Sequence, residues 1–307
     1  MGMQRNHVIV ITIIVIALAS AIVSLYITER ETVRQRGVER VAVVPLSGPI
    51  AERASGLAMA SSITPERVRK VLSTIEEDPS IRAVVLRIDS PGGSVAASQA
   101  ISSMIAEFPL PVVVSMGDIA ASGGYYIASA SDGIVAHPGT MTGSIGVILT
   151  AMNLEGLYEK LGIEMEIIKS GRHKDMMQRT LTDAERRLLQ DLSDEAYEQF
   201  IGHIAHHRNM DPENVRALAT GEVFLGSQAY ELGLVDVLGG EEEAILLAGE
   251  LAELRDPQRH ELPPPSPFQW MQWLAVEARI LLQNRFVPEP MRWIEMFEQY
   301  NYPRVNY

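Results

Sequence analysis

Two apolar segments near the middle of the chain each run into a glycine-rich turn and then into a segment with helical character. The first is Ala83 to Ile88, which leads into Ser90 to Gly93; the second is Val112 to Ser115, which leads through a loop into Ala121 to Gly124. Strands that alternate with helices over short connections are typical of a largely parallel α/β sheet. Since neighbouring parallel strands end at the same edge of a sheet, we expect the two turns to lie side by side.

The same alternation extends on both sides of these turns. Thr64 and Pro65 form a helix start signal, and Thr182 with Glu185 forms another. We therefore predict helices after each signal, the second reaching about His207. Apolar runs bounded by turn residues predict further strands at Val41 to Leu46, Ile134 to Ala136, Ile145 to Leu149 and Met165 to Ile168.

The N-terminus has the length and composition of a membrane span. Val8 to Ile27 are twenty consecutive residues without a charge, and as a helix they would cover roughly 30 Å, the thickness of a bilayer core. A cleavable signal peptide ending near Ala19 is the alternative, but the longer apolar run favours an uncleaved anchor. More arginines follow the segment than precede it, so the positive-inside rule would place the large domain in the cytoplasm. Because long domains can translocate despite such a charge bias, the charges leave the orientation open.

We predict four regions. Residues 1–28 form a transmembrane anchor, 29–40 a juxtamembrane linker, 41–255 the α/β domain, and 256–307 a proline-rich linker with a tryptophan-rich tail. The tail carries Trp270, Trp273 and Trp293. It could rest on a membrane as an amphipathic helix, or pack on the domain or a neighbouring subunit, and packing is the favoured interpretation.

Composition excludes several classes of function. The formal net charge of -13 argues against a nucleic-acid-binding surface, and the lack of cysteine excludes disulfides, thiolate metal sites and a cysteine nucleophile. His203, His206 and His207 have helical spacing, but no acidic residue shares their turn to complete a familiar metal site. We therefore expect neither a metal nor an organic cofactor.

The two glycine-rich turns offer the parts of a serine hydrolase. Such an enzyme needs an exposed hydroxyl, a base, and N–H donors directed at the developing oxyanion. Ser122 is the candidate hydroxyl, the amide of Gly123 is the natural first donor, and Gly93 or Gly92 is the candidate second donor. Either turn alone is more often simple turn geometry or close packing, so the hypothesis depends on their combination.

Five segments in order resemble the signal peptide peptidase A family, and the similarity covers about Val41 to Ala248. They are Leu86 to Gly93 (LRIDSPGG), Ala120 to Ala128 (AASGGYYIA), Thr142 to Val147 (TGSIGV), Lys169 to Asp175 (KSGRHKD) and Thr220 to Asp236 (TGEVFLGSQAYELGLVD).

The resemblance implies a Clp-protease/crotonase-like protease domain in which Ser122 is the nucleophile and Lys174 the general base, with no cofactor. A lysine amine has an ordinary pKa of about 10.4. It can act as a base at neutral pH when burial and neighbouring hydroxyls favour its neutral form. Ser144, and Thr140 or Thr142, are the candidates for orienting the amine. Without the family pattern, Lys174 beside Asp175 would be interpreted as a solvated surface lysine.

The resemblance also implies partners and location. We expect a ring-like homo-oligomer. Because double-length members of the family carry the serine and the lysine on different repeats, the dyad of this single-length chain can form between neighbouring protomers or within one. The expected substrates are leftover signal peptides or other hydrophobic peptides. The expected location is the cell membrane, with a single span and the protease domain outside the cytoplasm, against the arginine count.

Four alternatives remain at this stage. His137 could be the base of a Ser-His-Asp arrangement, although beside Pro138 it is more simply a loop residue. The fold could instead bind an acyl-CoA thioester, or serve as an inactive scaffold for a stomatin-like membrane partner. A protease that cuts a specific membrane protein, as the stomatin-partner proteases do, is the fourth.

Overall fold

The computed structural model describes residues 39–53 and 62–261, which build one eight-stranded sheet with helices on its faces. The strands are β1 (Arg40–Ser47), β2 (Ile81–Ser90), β3 (Val112–Ala121), β4 (Gly133–Ala136), β5 (Met141–Gly143), β6 (Val223–Leu225), β7 (Val237–Leu238) and β8 (Gln258–Glu261). The helices are α1 (Pro65–Glu76), α2 (Val95–Ala106), α3 (Gly123–Ser129), α4 (Glu155–Lys160), α5 (Asp183–His207), α6 (Pro212–Leu218), α7 (Gly226–Glu231) and α8 (Glu241–Leu251).

The sheet has the order β6-β5-β3-β2-β1-β8 and is parallel except where β6 pairs with β5. Strand β3 has two neighbours on one side: its first half pairs with β4 and its second half with β5. Strand β4 pairs in turn with β7. The prediction of a largely parallel α/β domain is thus confirmed, and β8 extends the sheet past residue 255.

The core lies on both faces of the central strands. Alternate residues of β1 to β4 pack against one face of α8, in a cluster formed by Val41, Val43, Ala83, Val85, Val113, Val135, Ala244, Ile245 and Ala248. The intervening residues, such as Ala42, Val84 and Leu86, are also buried. Strands that are buried on both faces read as continuous apolar runs, which is why β2 and β3 could be recognised in the sequence.

The strands predicted at Ile145 to Leu149 and Met165 to Ile168 are wrong. Neither segment has a pairing strand among residues 39–53 and 62–261, and most of their apolar side chains are exposed. A strand needs a partner for its backbone N–H and C=O groups, so an apolar run alone does not make one.

Three of the predicted regions lie wholly or mostly outside the described residues: the anchor at 1–28, the linker at 29–40 and the tail at 256–307. Within the described part of the chain, none of the helices combines the length and the apolar character that a membrane crossing requires.

Candidate active site

The two glycine-rich turns lie next to each other, as the sequence predicts. Strands β2 and β3 are parallel neighbours with Ser90 opposite Ala120, so both turns follow the same edge of the sheet. Their approach is very close: a methyl group built on Gly92 would lie 2.8 Å from the backbone nitrogen of Gly123. Glycine is therefore needed at this position for the two turns to meet.

Ser122 occupies the sharp turn between β3 and α3 with an unusual backbone conformation. Its φ is 53° and its ψ is -121°, a region that costs a non-glycine residue of order 1–3 kcal/mol. Its backbone N–H donates to the carbonyl of Gly143 over 2.8 Å, which holds the turn in place. Within the described residues the hydroxyl makes no hydrogen bond, and it faces a cavity. Strain of this kind is typical of a serine presented at a strand-to-helix turn.

Two backbone N–H groups beside Ser122 are available for a ligand. For the amides of Gly93 and Gly123, no acceptor is found within the described part of the chain. A methyl group built on Gly123 would lie 3.3 Å from the nitrogen of Gly93, so these amides are close together. The amide of Gly92 instead donates to the hydroxyl of Ser90 over 3.2 Å. The geometry therefore favours Gly93 over Gly92 as the partner of Gly123.

A largely apolar cavity of about 110 Å³ opens beside the Ser122 side chain. Helices α2, α3 and α5 supply most of its wall, and the segment after β5 supplies the rest. The lining residues are Gly93, Val95, Ser98, Gln99, Ser122, Gly123, Tyr126, Gly146, Val147, Ile148, Ala196 and Phe200. An apolar cavity with a few polar groups at one end can hold one aliphatic side chain of a peptide.

His203 packs against Tyr126, one of the residues that line this cavity. Its ring stacks on Tyr126 with centroids 3.8 Å apart, and its Nε2 lies 3.0 Å from the Tyr126 carbonyl oxygen. Because a carbonyl only accepts, this contact assigns the proton to Nε2. Burial lowers the pKa of His203 to about 4, and nearby His207 and His206 act in the same direction. His203 is thus a neutral packing residue that joins α5 to α3.

Lys174 lies on a turn between α4 and α5. Its side chain is exposed, does not line the cavity, and forms no ion pair or hydrogen bond with any residue of the described ranges. Ser122 and Lys174 therefore do not share this cavity within one chain. His137, the alternative base, does not line the cavity either; its ring lies against Gly240, where an added methyl group would be 2.8 Å from Nε2.

The predicted orienting hydroxyls differ in their surroundings. Thr142 is buried, and its hydroxyl donates to the Ala120 carbonyl over 2.7 Å; the hydroxyl of Thr140 donates to Gly117 over 2.8 Å. Ser144 follows Gly143, has a φ of 49°, and is half-buried with no hydrogen bond from its hydroxyl within the described residues. Of the three, Ser144 has the hydroxyl that is available to a neighbouring amine.

An ionic network surrounds the turn that carries Lys174, and no sequence pattern predicts it. Arg179 contacts Asp175 and also contacts Glu185 at the start of α5. Lys169 and His173 complete this network, which we call the anchor cluster. The sequence identifies Glu185 only as a helix-capping residue, and no residue spacing predicts its ion pair with Arg179.

The segment before this turn exposes many apolar side chains, and we call residues 148–168 the apolar arm. Ile148 is 87% exposed, Met152 72% and Ile168 94%. Leu149, Leu157, Leu161, Ile163, Met165 and Ile167 are exposed as well. Exposed apolar side chains in such number are typical of an interaction site.

Comparison with known families and proteins agrees with this geometry. A model of peptidase family S49 matches residues 107–255, and a Clp protease model matches residues 57–144. A Synechocystis sp. protein named as a candidate protease is 40% identical over 265 residues, which are 84% of this chain and 91% of that protein.

Two further relatives are longer than the matched region. A candidate signal peptide peptidase SppA of Enterococcus faecium is 36% identical over 71% of this chain and 65% of its own length. The chloroplastic serine protease SPPA of Arabidopsis thaliana is 35% identical over 71% of this chain, and the match spans only 33% of that protein.

A solved structure supports the fold alone. An alanine variant of the 1510-N membrane-bound stomatin-specific protease superposes with a TM-score of 0.50 and 17% identity, covering 74% of this chain and 99% of that one. Family models, relatives and fold thus agree: the chain belongs to peptidase family S49 and is a serine protease of the signal peptide peptidase A type with a Clp-protease/crotonase-like fold.

Proposed function

We propose that the protein is a membrane-anchored serine endopeptidase that degrades cleaved signal peptides or other hydrophobic peptides, with Ser122 as nucleophile and Lys174 as general base. The observation that carries this proposal is the placement of Ser122. Its strained turn presents the hydroxyl between an apolar cavity and two backbone N–H groups for which residues 39–53 and 62–261 supply no acceptor. This is the arrangement that acyl transfer to a serine requires.

The reaction follows from these groups. The Ser122 oxygen attacks the peptide carbonyl, and the neutral amine of Lys174 takes the hydroxyl proton. The N–H groups of Gly93 and Gly123 donate to the oxyanion, while Ser144 orients the amine. The lysine then gives its proton to the leaving amine, and a water molecule, activated by the same lysine, hydrolyses the acyl-enzyme. Each oxyanion donor of this type contributes about 100-fold to 1000-fold in kcat.

The base comes from a neighbouring copy of the chain in this proposal. Lys174 is exposed and does not line the Ser122 cavity of its own chain. It follows the apolar arm in sequence, whose exposed side chains need a partner surface. A head-to-tail ring would bury the arm and supply each Ser122 with the Lys174 of the next protomer.

The substrate and the location follow from apolar character. A cavity walled by Val95, Val147, Ile148 and Phe200 favours small or aliphatic side chains and disfavours charged ones. The apolar run of residues 8–27 would tether the ring to the cell membrane with the protease domain outside the cytoplasm. Cleaved signal peptides combine both features, since they have an aliphatic core and remain in the membrane.

The first test is hydrolysis of fluorogenic peptides by the full chain and its Ser122→Ala and Lys174→Ala variants. We expect wild type to cleave after leucine or alanine and to discriminate against lysine, and we expect both variants to lose at least about 1000-fold in kcat. An active Lys174→Ala protein would remove Lys174 as the base and return His137 to consideration. An inactive wild type over all substrates would favour the scaffold interpretation.

Mixing the two inactive variants tests whether the dyad is shared. In a head-to-tail ring assembled from equal amounts of both, about one site in four would combine an intact Ser122 with an intact Lys174 from its neighbour. We therefore expect about a quarter of wild-type activity after co-assembly. No recovery, from rings shown by mass spectrometry to be mixed, would place both groups in one protomer.

A further inference from the structure

The backbone hydrogen bonds on either side of Lys174 are long. The N–H of Lys174 lies 3.4 Å from the Gly171 oxygen, and the N–H of Met176 lies 3.3 Å from the His173 oxygen, at the long end of the range for such bonds. Only at the end of the turn does a shorter bond occur, from the N–H of Gln178 to the Asp175 oxygen over 3.0 Å. Side-chain contacts therefore contribute to holding Lys174 in position.

Both sequence neighbours of Lys174 are connected to the buried carboxylate of Glu185, His173 directly and Asp175 through Arg179. His173 Nδ1 lies 3.1 Å from Glu185 Oε1. Asp175 accepts from Arg179, whose Nη2 lies 2.7 Å from Glu185 Oε1 and whose Nη1 lies 2.9 Å from Glu185 Oε2. Glu185 is 1% exposed and also accepts from the backbone N–H of Thr182. Arg179 thus links the Lys174 turn to the first turn of α5.

The anchor cluster also occupies the carboxylate that stands next to Lys174 in sequence. Asp175 is buried; its oxygens lie 2.9 Å and 3.1 Å from Nε and Nη2 of Arg179, and 2.6 Å from Lys169 Nζ. Hydrogen bonds from Arg179 and then Lys169 hold the pKa of Asp175 down to about 2. Two carboxylates and two fixed cations balance within the cluster. The amine of Lys174 is left without a carboxylate partner within the described residues.

We propose that Arg179 is a positioning residue for catalysis, which holds the Lys174 turn against α5 and keeps the carboxylate of Asp175 away from the Lys174 amine. This inference rests on the proposed role of Lys174 as the base. A carboxylate beside that amine would stabilise its protonated form, and a protonated amine cannot accept the serine proton. Orientation and charge state are thus controlled by one side chain.

The test compares Arg179→Met with the double variant Arg179→Met/Asp175→Asn in the full chain. Arg179→Met leaves Lys169 as the remaining cation on Asp175 Oδ1 and releases the Oδ2 oxygen that Arg179 held. We therefore expect kcat at pH 7 to fall by at least about tenfold with KM changed by less than about threefold. The acid-side midpoint of the kcat–pH profile should rise by about one pH unit. In the double variant the midpoint should return to the wild-type value while kcat stays low.

Arg216→Met is the matched control. Arg216 forms a similar forked pair with Glu198, at 2.5 Å and 2.8 Å, between α6 and α5 and outside the Lys174 turn. We expect this variant to keep the wild-type kcat and pH midpoint. Because Arg179→Met could fail to assemble, Arg179→Lys provides a second test: it keeps the charge but loses the fork, and we expect a lower kcat with an unchanged midpoint.

Two results would overturn the inference. The first is a wild-type kcat, either in assembled Arg179→Met together with a wild-type midpoint of the kcat–pH profile, or in Arg179→Lys. The second is a midpoint that stays fixed in Arg179→Met, which would reduce Arg179 to a structural residue. An inactive Lys174→Ala beside a normal Arg179→Met would overturn this inference alone. An active Lys174→Ala would overturn the base assignment itself.

Discussion

At the scale of single residues, the site depends on close approach between two turns. A methyl group built on Gly93 would lie 2.0 Å from the Ile50 oxygen, and one on Gly123 would lie 2.6 Å from the Ser98 hydroxyl. The sequence predicted both turns from their glycines. It could not predict the φ of 53° at Ser122, because that conformation is imposed by the strands and helices on either side of the turn.

Gly93→Ala tests the oxyanion donor. The added methyl group must displace the backbone from Ile50, so we expect kcat to fall by about 100-fold or more and the free energy of unfolding to fall by about 1–3 kcal/mol. Peptide hydrolysis and urea denaturation at one protein concentration measure the two effects. Gly139→Ala is the control, since nothing lies within 4 Å of its added methyl group. Full activity in Gly93→Ala would remove the Gly93 amide from the mechanism.

At the scale of helices and strands, local signals predicted boundaries well where they were self-contained. The Thr64 hydroxyl caps α1, Thr182 and Glu185 form the predicted capping box of α5, and Val68, Leu72 and Ile75 are buried on one face of α1. These signals act within four residues of one another, so tertiary contacts are not needed to interpret them. The two strands predicted within 145–168 failed, because pairing is a property of a neighbour and not of the segment.

His203, which joins α5 to α3, predicts a pH dependence of stability. The pKa of the His203 side chain is about 6.5 in the unfolded state, whereas burial lowers it to about 4 in the folded state. Between these values the unfolded state binds more protons, so the free energy of unfolding should decrease as the pH falls from about 6.5 to 4. His203→Gln, whose side-chain amide can still donate to Tyr126, should make this decrease shallower.

The control for this prediction is the neighbouring residue on the same helix. Gly202 is exposed and nothing lies within 4 Å of an added methyl group, so Gly202→Ala, which removes no ionisable group, should leave the slope of stability against pH as it is in wild type. Urea midpoints at several pH values and one protein concentration give the slopes. Equal slopes for wild type and His203→Gln would contradict the prediction.

At the scale of the whole molecule, the two members of the proposed dyad have different surroundings. Ser122 lines the cavity beside the two N–H donors, while Lys174 is exposed and does not line the cavity. The family resemblance predicts a ring-like assembly, and the exposed side chains of the apolar arm support that prediction. In the proposed ring, a second copy would cover the arm and supply its Lys174 to Ser122.

Ile168→Asp tests assembly through the arm. Ile168 is 94% exposed in the single chain, and burying a carboxylate at an apolar interface without a partner is strongly unfavourable. We expect a smaller assembled fraction in analytical ultracentrifugation and a loss of at least about tenfold in kcat/KM at low protein concentration. Leu246→Asp is the control: it adds the same charge at a 62% exposed position of α8. An unchanged oligomer in Ile168→Asp would exclude this part of the arm from the interface.

The order of residue types is enough to predict the elements whose signals are local: the apolar strands β1 to β4, the capped helices α1 and α5, and the two glycine-rich turns at one edge of a parallel sheet. Three features emerge only in the folded chain: the different hydrogen bonding of Gly92 and Gly93, the absence of Lys174 from the lining of the Ser122 cavity, and the contacts of Arg179 with Asp175 and Glu185. These features depend on contacts between segments far apart in sequence or on side-chain directions, and neither is encoded in the order of residue types over a few positions.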